Sequence, residues 1–235
     1  MSMSNKSWNL PTQKELDDTR SYFAKVFQRM ALALAISWFV AYYVSWMHDI
    51  VRILFSDKLY FYLFFGVELA IIRKLSGNLK TLSLRETKIM FVLFSVLEWA
   101  FLSVIFLIFR LSSIASIFGS TALLFAVMGL YGFYTKKDLT NIGNISLMGL
   151  IGIIIGSCIN RFLQSETTDF VITIIGVLVF VWLTAYDIQK LKNINTQWDE
   201  WTDNESKEAI AWALGLYLDF VNLFLRLLKL FGKRK

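Results

Sequence analysis

The chain predicts an all-α integral membrane protein with seven transmembrane helices. Of its 235 residues, 56% are hydrophobic and 18% charged, and the mean hydropathy is +0.54. A water-soluble domain of this size could not hide so much apolar surface. The apolar runs are longer than the about ten alternating residues of a membrane-barrel strand, so the spans are helices. One proline and twelve glycines leave few breakers inside those runs.

Residues 1–29 are polar and form an N-terminal segment, followed by a transmembrane domain over 30–235. Within the segment, Thr19, Arg20 and Ser21 alternate with Tyr22, Phe23, Val26 and Phe27. That pattern suits either a short amphipathic helix on the membrane surface or a plain extension of the first span. The first span, 30–46, ends in Trp38, Tyr42, Tyr43 and Trp46, aromatic residues of the kind that sit among headgroups. His48, Asp49, Arg52, Asp57 and Lys58 then mark a water-facing loop. The second span, 59–75, has a short apolar core and contains Glu68, so re-entrant and spanning readings both stand; Arg73 and Lys74 can snorkel and lengthen it.

A basic loop from Ser76 to Lys88 leads to the third span, 89–109, which contains Glu98. A tight turn at Arg110–Ser113 enters the fourth, 114–134, closed by Lys136, Lys137 and Asp138. The fifth, 142–159, places Gly152, Gly156 and Asn160 at four-residue spacing, which suits close helix contact. The sixth, 170–187, ends in LTAYDIQKLK, and a polar loop leads to the seventh, 209–230.

With the N-terminus cytoplasmic, most lysines and arginines of the loops fall inside, as the positive-inside rule requires. The exception is the tail, where Lys229, Lys233, Arg234 and Lys235 lie outside if the last helix crosses fully. The side of the tail is therefore left open.

Several functions are excluded. A lone cysteine, Cys158, allows no internal disulfide or multi-cysteine metal site, and a lone histidine, His48, argues against a histidine-based zinc or haem centre. No cofactor is expected. The net charge of +6 does not indicate nucleic acid, because the aromatics lie inside apolar runs and not among the basic residues. The first twenty residues include acids and lack a short apolar core, so no cleaved signal peptide is expected. Catalysis is not expected either, since the histidine lies outside the spans and the aspartates lack the glycine-flanked setting of intramembrane proteases.

The candidate site residues are acids within spans. Asp219 sits inside an apolar run long enough to cross the bilayer, and helical spacing stacks it with Asn222 and Arg226 along one side. Ionisable groups there are costly, so that stripe should face protein. Asp187 closes the neighbouring sixth span. Two carboxylates about 4 Å apart at an effective dielectric near 20 repel by roughly 4 kcal/mol, which favours one shared proton and a pair that titrates as a unit. The plainer reading is that each aspartate neutralises a nearby cation or caps a helix. Glu68 can pair with Arg73 or Lys74; Glu98 lines a cavity or meets an arginine of another helix. Oxygen-only donors favour hard cations, and Ca²⁺ wants six to eight oxygens. Asp187, Asp219 and Asn222 supply too few for tight storage, which suits weak, pH-sensitive passage.

The segments LTAYDIQKLK, YLDFVNLFLRLLKLFG and LYGFYTKKDLTNIGNISLMGLIGIIIGSCIN, with a basic segment leading into MALALAISWFVAYY, together resemble the bacterial branch of the Bax inhibitor-1 (TMBIM) family, from about Thr19 onward. The resemblance implies seven helices with the last at the centre of the bundle. It implies a pH-sensitive calcium leak across the bacterial inner membrane, with Ca²⁺ and protons as partners and a di-aspartyl sensor carried onto Asp187 and Asp219. It further implies a latch arginine, for which Arg85 and Arg73 are the candidates, while Glu98 falls outside the family pattern. The alternative function is modulation of a membrane-bound AAA protease, or another stress or cell-death role, by protein interaction through the N-terminal segment.

Overall fold

The computed structural model describes residues 13–47, 58–77, 79–194 and 202–235. The loop expected around His48, Asp49, Arg52 and Asp57 lies outside the described residues. The chain folds as helices α1 (Gln13–Ser45), α2 (Lys58–Gly77), a 3-10 turn (Leu79–Thr81), α3 (Leu84–Leu102), α4 (Val104–Ile108), α5 (Leu111–Tyr134), α6 (Thr140–Leu163), α7 (Glu166–Lys192) and α8 (Asp203–Phe231). The extended contact among the described residues is an isolated bridge between Phe109 and Arg234.

Among the described residues, five stretches are long and apolar enough to cross a membrane: Thr19–Ser45, Leu111–Tyr134, Thr140–Leu163, Glu166–Lys192 and Asp203–Phe231. The other two expected spans correspond to α2 and to α3 with α4, which carry more charge: Lys58, Glu68, Arg73 and Lys74 in α2, and Arg85, Glu86, Lys88 and Glu98 in α3.

The boundary expected at residue 30 does not exist as a break. Tyr22, Val26, Met30, Ala33, Ser37, Ala41 and Ser45 form one buried stripe at three- and four-residue spacing, so a single helix runs through the predicted boundary. The third span divides at Ser103, whose backbone stays near helical (φ −54°, ψ −26°) between α3 and α4. Its start moves back to Leu84 because Ser83 and Glu86 form a reciprocal capping box, which satisfies the first amides of α3. Thr202 and Glu205 do the same for α8. At the α6–α7 junction Gln164 is left-handed, with φ 51°, and Ser165 caps α7.

Helix α8 is the most buried of the five long apolar helices, with 56% of its most apolar window inside the protein against 17% for α6. Its main neighbours are α1, α3, α5 and α7, while α6 packs on α7 and α2 on α3. Ridges of aromatic rings fill these seams: Phe118 of α5 meets Phe220 and Phe224 of α8 edge-on at 5.1 and 5.7 Å, and Trp38 of α1 at 5.4 Å. Outward faces carry bare hydrophobics such as Phe39, Leu123, Met148 and Phe162, the surface that lipid requires.

Helix α6 packs on α7 through glycines, including Gly156 of the expected pair but not Gly152. A Cβ on Gly149 would lie 2.8 Å from Val179 Cγ2 and one on Gly156 3.3 Å from Ile172 Cδ1, and Gly143 lies against the Tyr186 ring. Gly152 faces open space, because the contact row follows a three- and four-residue step through Gly143, Ser146, Gly149, Ile153 and Gly156.

Hydrogen bonds at both ends of α8 place the tail within the bundle. Near its start, Lys207 Nζ donates to Leu82 O at 2.9 Å, and Arg29 Nη1 donates to Ser206 O at 2.8 Å. Past its end, Arg110 N donates to Lys233 O and Lys235 N to Ile108 O, each at 3.0 Å. The 29-residue helix, roughly 43 Å long at 1.5 Å per residue, therefore runs the full height of the bundle. The basic tail lies at the Arg110 turn, opposite the end of α8 that Arg29 and Leu82 hold.

Candidate functional site

The site forms where the C-terminal half of α7 crosses the middle of α8. Close packing on both sides of α7 sets its register. A Cβ on Gly129 of α5 would lie 2.7 Å from Ile188 Cδ1, and Gly132 abuts the Ala185 carbonyl, so α5 rides directly over the turn that carries Asp187. From the loop beyond α5, Leu139 N donates to Gln189 Oε1 and Gln189 Nε2 donates to Lys137 O, both at 2.8 Å. That two-ended tie clamps the turn after Asp187.

Asp187 is half-buried and Asp219, on α8, is 7% exposed. Their carboxyl groups lie beside each other across the α7–α8 contact. Two carboxyls this close repel each other when both are ionised. Asp219 Oδ2 is buried and receives no N–H or O–H donor among the described residues. The cation acting on the pair is Lys190, one turn beyond Asp187, whose Nζ lies 5.8 Å from the Tyr186 ring and 5.7 Å from the Trp212 ring.

The rest of the α8 stripe divides its partners. Asn222 Nδ2 turns back to Leu218 O at 2.8 Å within its own helix. Arg226 reaches α7, with Nη1 3.4 Å from Ile172 O and its guanidinium 5.5 Å from the Phe180 ring, in the hollow left by Gly176. Two residues before Asp219, Tyr217 Oη lies 3.0 Å from Ser37 Oγ, which donates to Ser95 O at 3.2 Å, so α1, α3 and α8 share a buried polar junction.

The remaining candidates lie elsewhere. Glu68 is buried, whereas Arg73 and Lys74, the cations expected to pair with it, are exposed; Glu98 lies near it across the α2–α3 contact. Arg85 is exposed and lines a surface hollow with Lys88 and Asp203. Neither Arg85 nor Arg73 forms an ion pair with the aspartates among the described residues. Outside the membrane-spanning segments, Asp138 is held below the usual carboxylate range by the Thr140 hydroxyl and amide.

Among the described residues, no group of three or more His, Cys, Asp or Glu side chains is placed to hold a metal ion. Two carboxylates with water give a cation a partial shell only, which favours exchange over storage. Reasoning from sequence missed Lys190 and Gln189. The one-turn spacing from Asp187 to Lys190 in LTAYDIQKLK was a usable signal, whereas the Gln189 tie depends on a loop fifty residues away.

Residues 19–235 match the family model described as inhibitor of apoptosis-promoting Bax1. The chain is 43% identical over 217 residues to the inner membrane protein YbhL of Escherichia coli (strain K12), covering 92% of this chain and 93% of that one. It is 38% identical over 223 residues to an uncharacterized protein of Borreliella burgdorferi, covering 95% and 96%. It is 35% identical over 230 residues to an uncharacterized protein of Rickettsia prowazekii, covering 92% and 91%.

Proposed function

Because the chain belongs to the Bax inhibitor-1 family of membrane proteins, we propose that it is a pH-sensitive calcium leak of the bacterial inner membrane, with Asp187 and Asp219 as its proton sensor. The observation that carries this reading is the placement of the two carboxyls side by side inside the α7–α8 contact, an arrangement that favours one shared proton. Losing the shared proton places two anions side by side in a poorly solvated seam, and their repulsion of roughly 4 kcal/mol at close contact is enough to part the helices or draw in a cation. In this reading α2 and the α3–α4 pair also cross the membrane, giving seven spans around a central α8, and the Thr19 end of α1 faces the cytoplasm.

Lys190 then serves as the fixed cation at the sensor's edge, and the exposed positions of Arg85 and Arg73 correspond to an unlatched sensor. Asn222 supports the α8 backbone beside Asp219 by donating its Nδ2 to Leu218 O.

The test is Ca²⁺ flux through proteoliposomes between about pH 6 and pH 8. Asp187→Asn and Asp219→Asn are each expected to flatten the pH response. A response in both variants as steep as that of the unmodified protein refutes the sensor.

A further inference from the structure

Helices α1 and α5 touch at two heights and part between them. Phe23 meets Phe133 edge-on at 5.2 Å, and Trp38 meets Phe118 at 5.4 Å. Between these contacts α1 presents Ala24 and α5 presents Ala126 and Gly129, residues too small to fill the gap, and a slot of about 440 Å³ opens there. Phe27 and Phe125 wall it, and Ile188 of α7 forms its floor. A Cβ on Gly129 would lie 2.7 Å from Ile188 Cδ1, so the floor rests on the turn that carries Asp187.

The shape of the slot suits a hydrocarbon chain. Its lining on α5 runs from Phe125 to Tyr134, about 13 Å at 1.5 Å per residue, and one leaflet contributes about 15 Å of hydrocarbon. A helix, about 10 Å across with its side chains, cannot enter between walls that close to ring contact at both ends. A polar solute would need several convergent polar groups to orient it, whereas the polar side chains in the lining, Arg20 and Tyr134, both stand at one end.

That end is cationic. Arg20 is exposed one turn before Phe23. Lys192 Nζ lies 5.2 Å from the Phe133 ring and donates to Phe133 O at 2.7 Å, which leaves it two further N–H groups. Past Tyr134 the chain adds Lys136 and Lys137, both exposed, against Asp138, whose carboxylate is engaged by Thr140. An apolar slot with a basic rim at the end of a span is the charge complement of a lipid with a negative headgroup.

We propose that the α1–α5 slot binds one acyl chain of an anionic phospholipid, with the lipid phosphate held at the rim by Arg20 and Lys192. The site does not depend on the calcium-leak reading. The test is native mass spectrometry of the full chain in detergent, titrated separately with phosphatidylglycerol and with phosphatidylcholine of the same acyl chains. Phosphatidylglycerol should bind roughly thirtyfold more tightly, and Arg20→Gln and Lys192→Gln should each remove about fivefold of that preference. Ala126→Phe fills the slot and should abolish the tight site. Ala24→Leu fills it from the opposite wall and answers the question if the first variant does not fold; both alanines are exposed, so neither larger side chain enters the core.

Equal affinity for the two lipids overturns the proposal, as does a preference that neither glutamine variant reduces. Tight phosphatidylglycerol binding that survives the slot-filling variants places the lipid elsewhere on the basic surface and overturns it as well.

Discussion

Gly132 and Gly152 allow one chemical change to be tested in two environments. In Gly132→Ala the new methyl would meet the Ala185 carbonyl group, with Ala185 Cα at 3.0 Å, and backbone cannot rotate away as a side-chain tip can. Helix α5 must back off α7 by a large fraction of an ångström. Overpacking of this kind costs about 1–3 kcal/mol, and the fixed backbone places this site toward the upper end. At Gly152 nothing lies within 4 Å, so alanine there only gains helix propensity, up to about 1 kcal/mol. For a chain of this size 1 kcal/mol corresponds to roughly 2–4 °C in Tm. Thermal unfolding in detergent should therefore show Gly132→Ala lower by roughly 4–10 °C and Gly152→Ala unchanged or slightly higher. Since Ala185 is two residues before Asp187, Gly132→Ala should also disturb the pH response of Ca²⁺ flux, and Gly152→Ala should not. Equal shifts of the same sign in both variants would refute the α5–α7 register on which the site's geometry depends.

Lys207→Met removes the Nζ bond to Leu82 O and is expected to cost about 1–2 kcal/mol and to speed amide exchange in residues 79–82. Lys190→Gln removes the cation beside the aspartates and should displace the midpoint of the flux–pH curve while leaving Tm nearly unchanged; an unmoved midpoint counts against its role. Lys229→Ala breaks a half-exposed 2.5 Å pair with Asp169 and should change stability by less than about 1 kcal/mol by denaturant titration. Asp138, held low by Thr140, favours the folded state above its unfolded value of about 3.9 and loses that contribution as pH falls through its lower folded value. A Tm gap between the unmodified protein and Asp138→Asn should accordingly be present at neutral pH and close in strong acid.

The amino-acid sequence by itself determined the class of molecule, because twenty-residue apolar runs with few breakers have one solution in lipid, the helix that satisfies its own backbone. It also marked Asp219 as a residue needing protein beside it, since a mid-span carboxylate cannot face hydrocarbon. Helical periodicity placed Asp219 and Arg226 on one side of α8, and both do face α7. Periodicity stops there. It orders residues around one helix but carries no information on how far a neighbour slides along it, and that slide is set where small residues let backbones approach. Gly132 against Ala185, Gly143 against Tyr186 and Gly176 against Arg226 fix the height of α7, and with it the meeting of Asp187 and Asp219. The Glu68–Glu98 approach, the Gln189 tie to Lys137 and Leu139 and the docking of the tail at Arg110 belong to the same category. Each joins residues tens to more than a hundred positions apart, and only the packed bundle decides which of the geometrically allowed neighbours is taken.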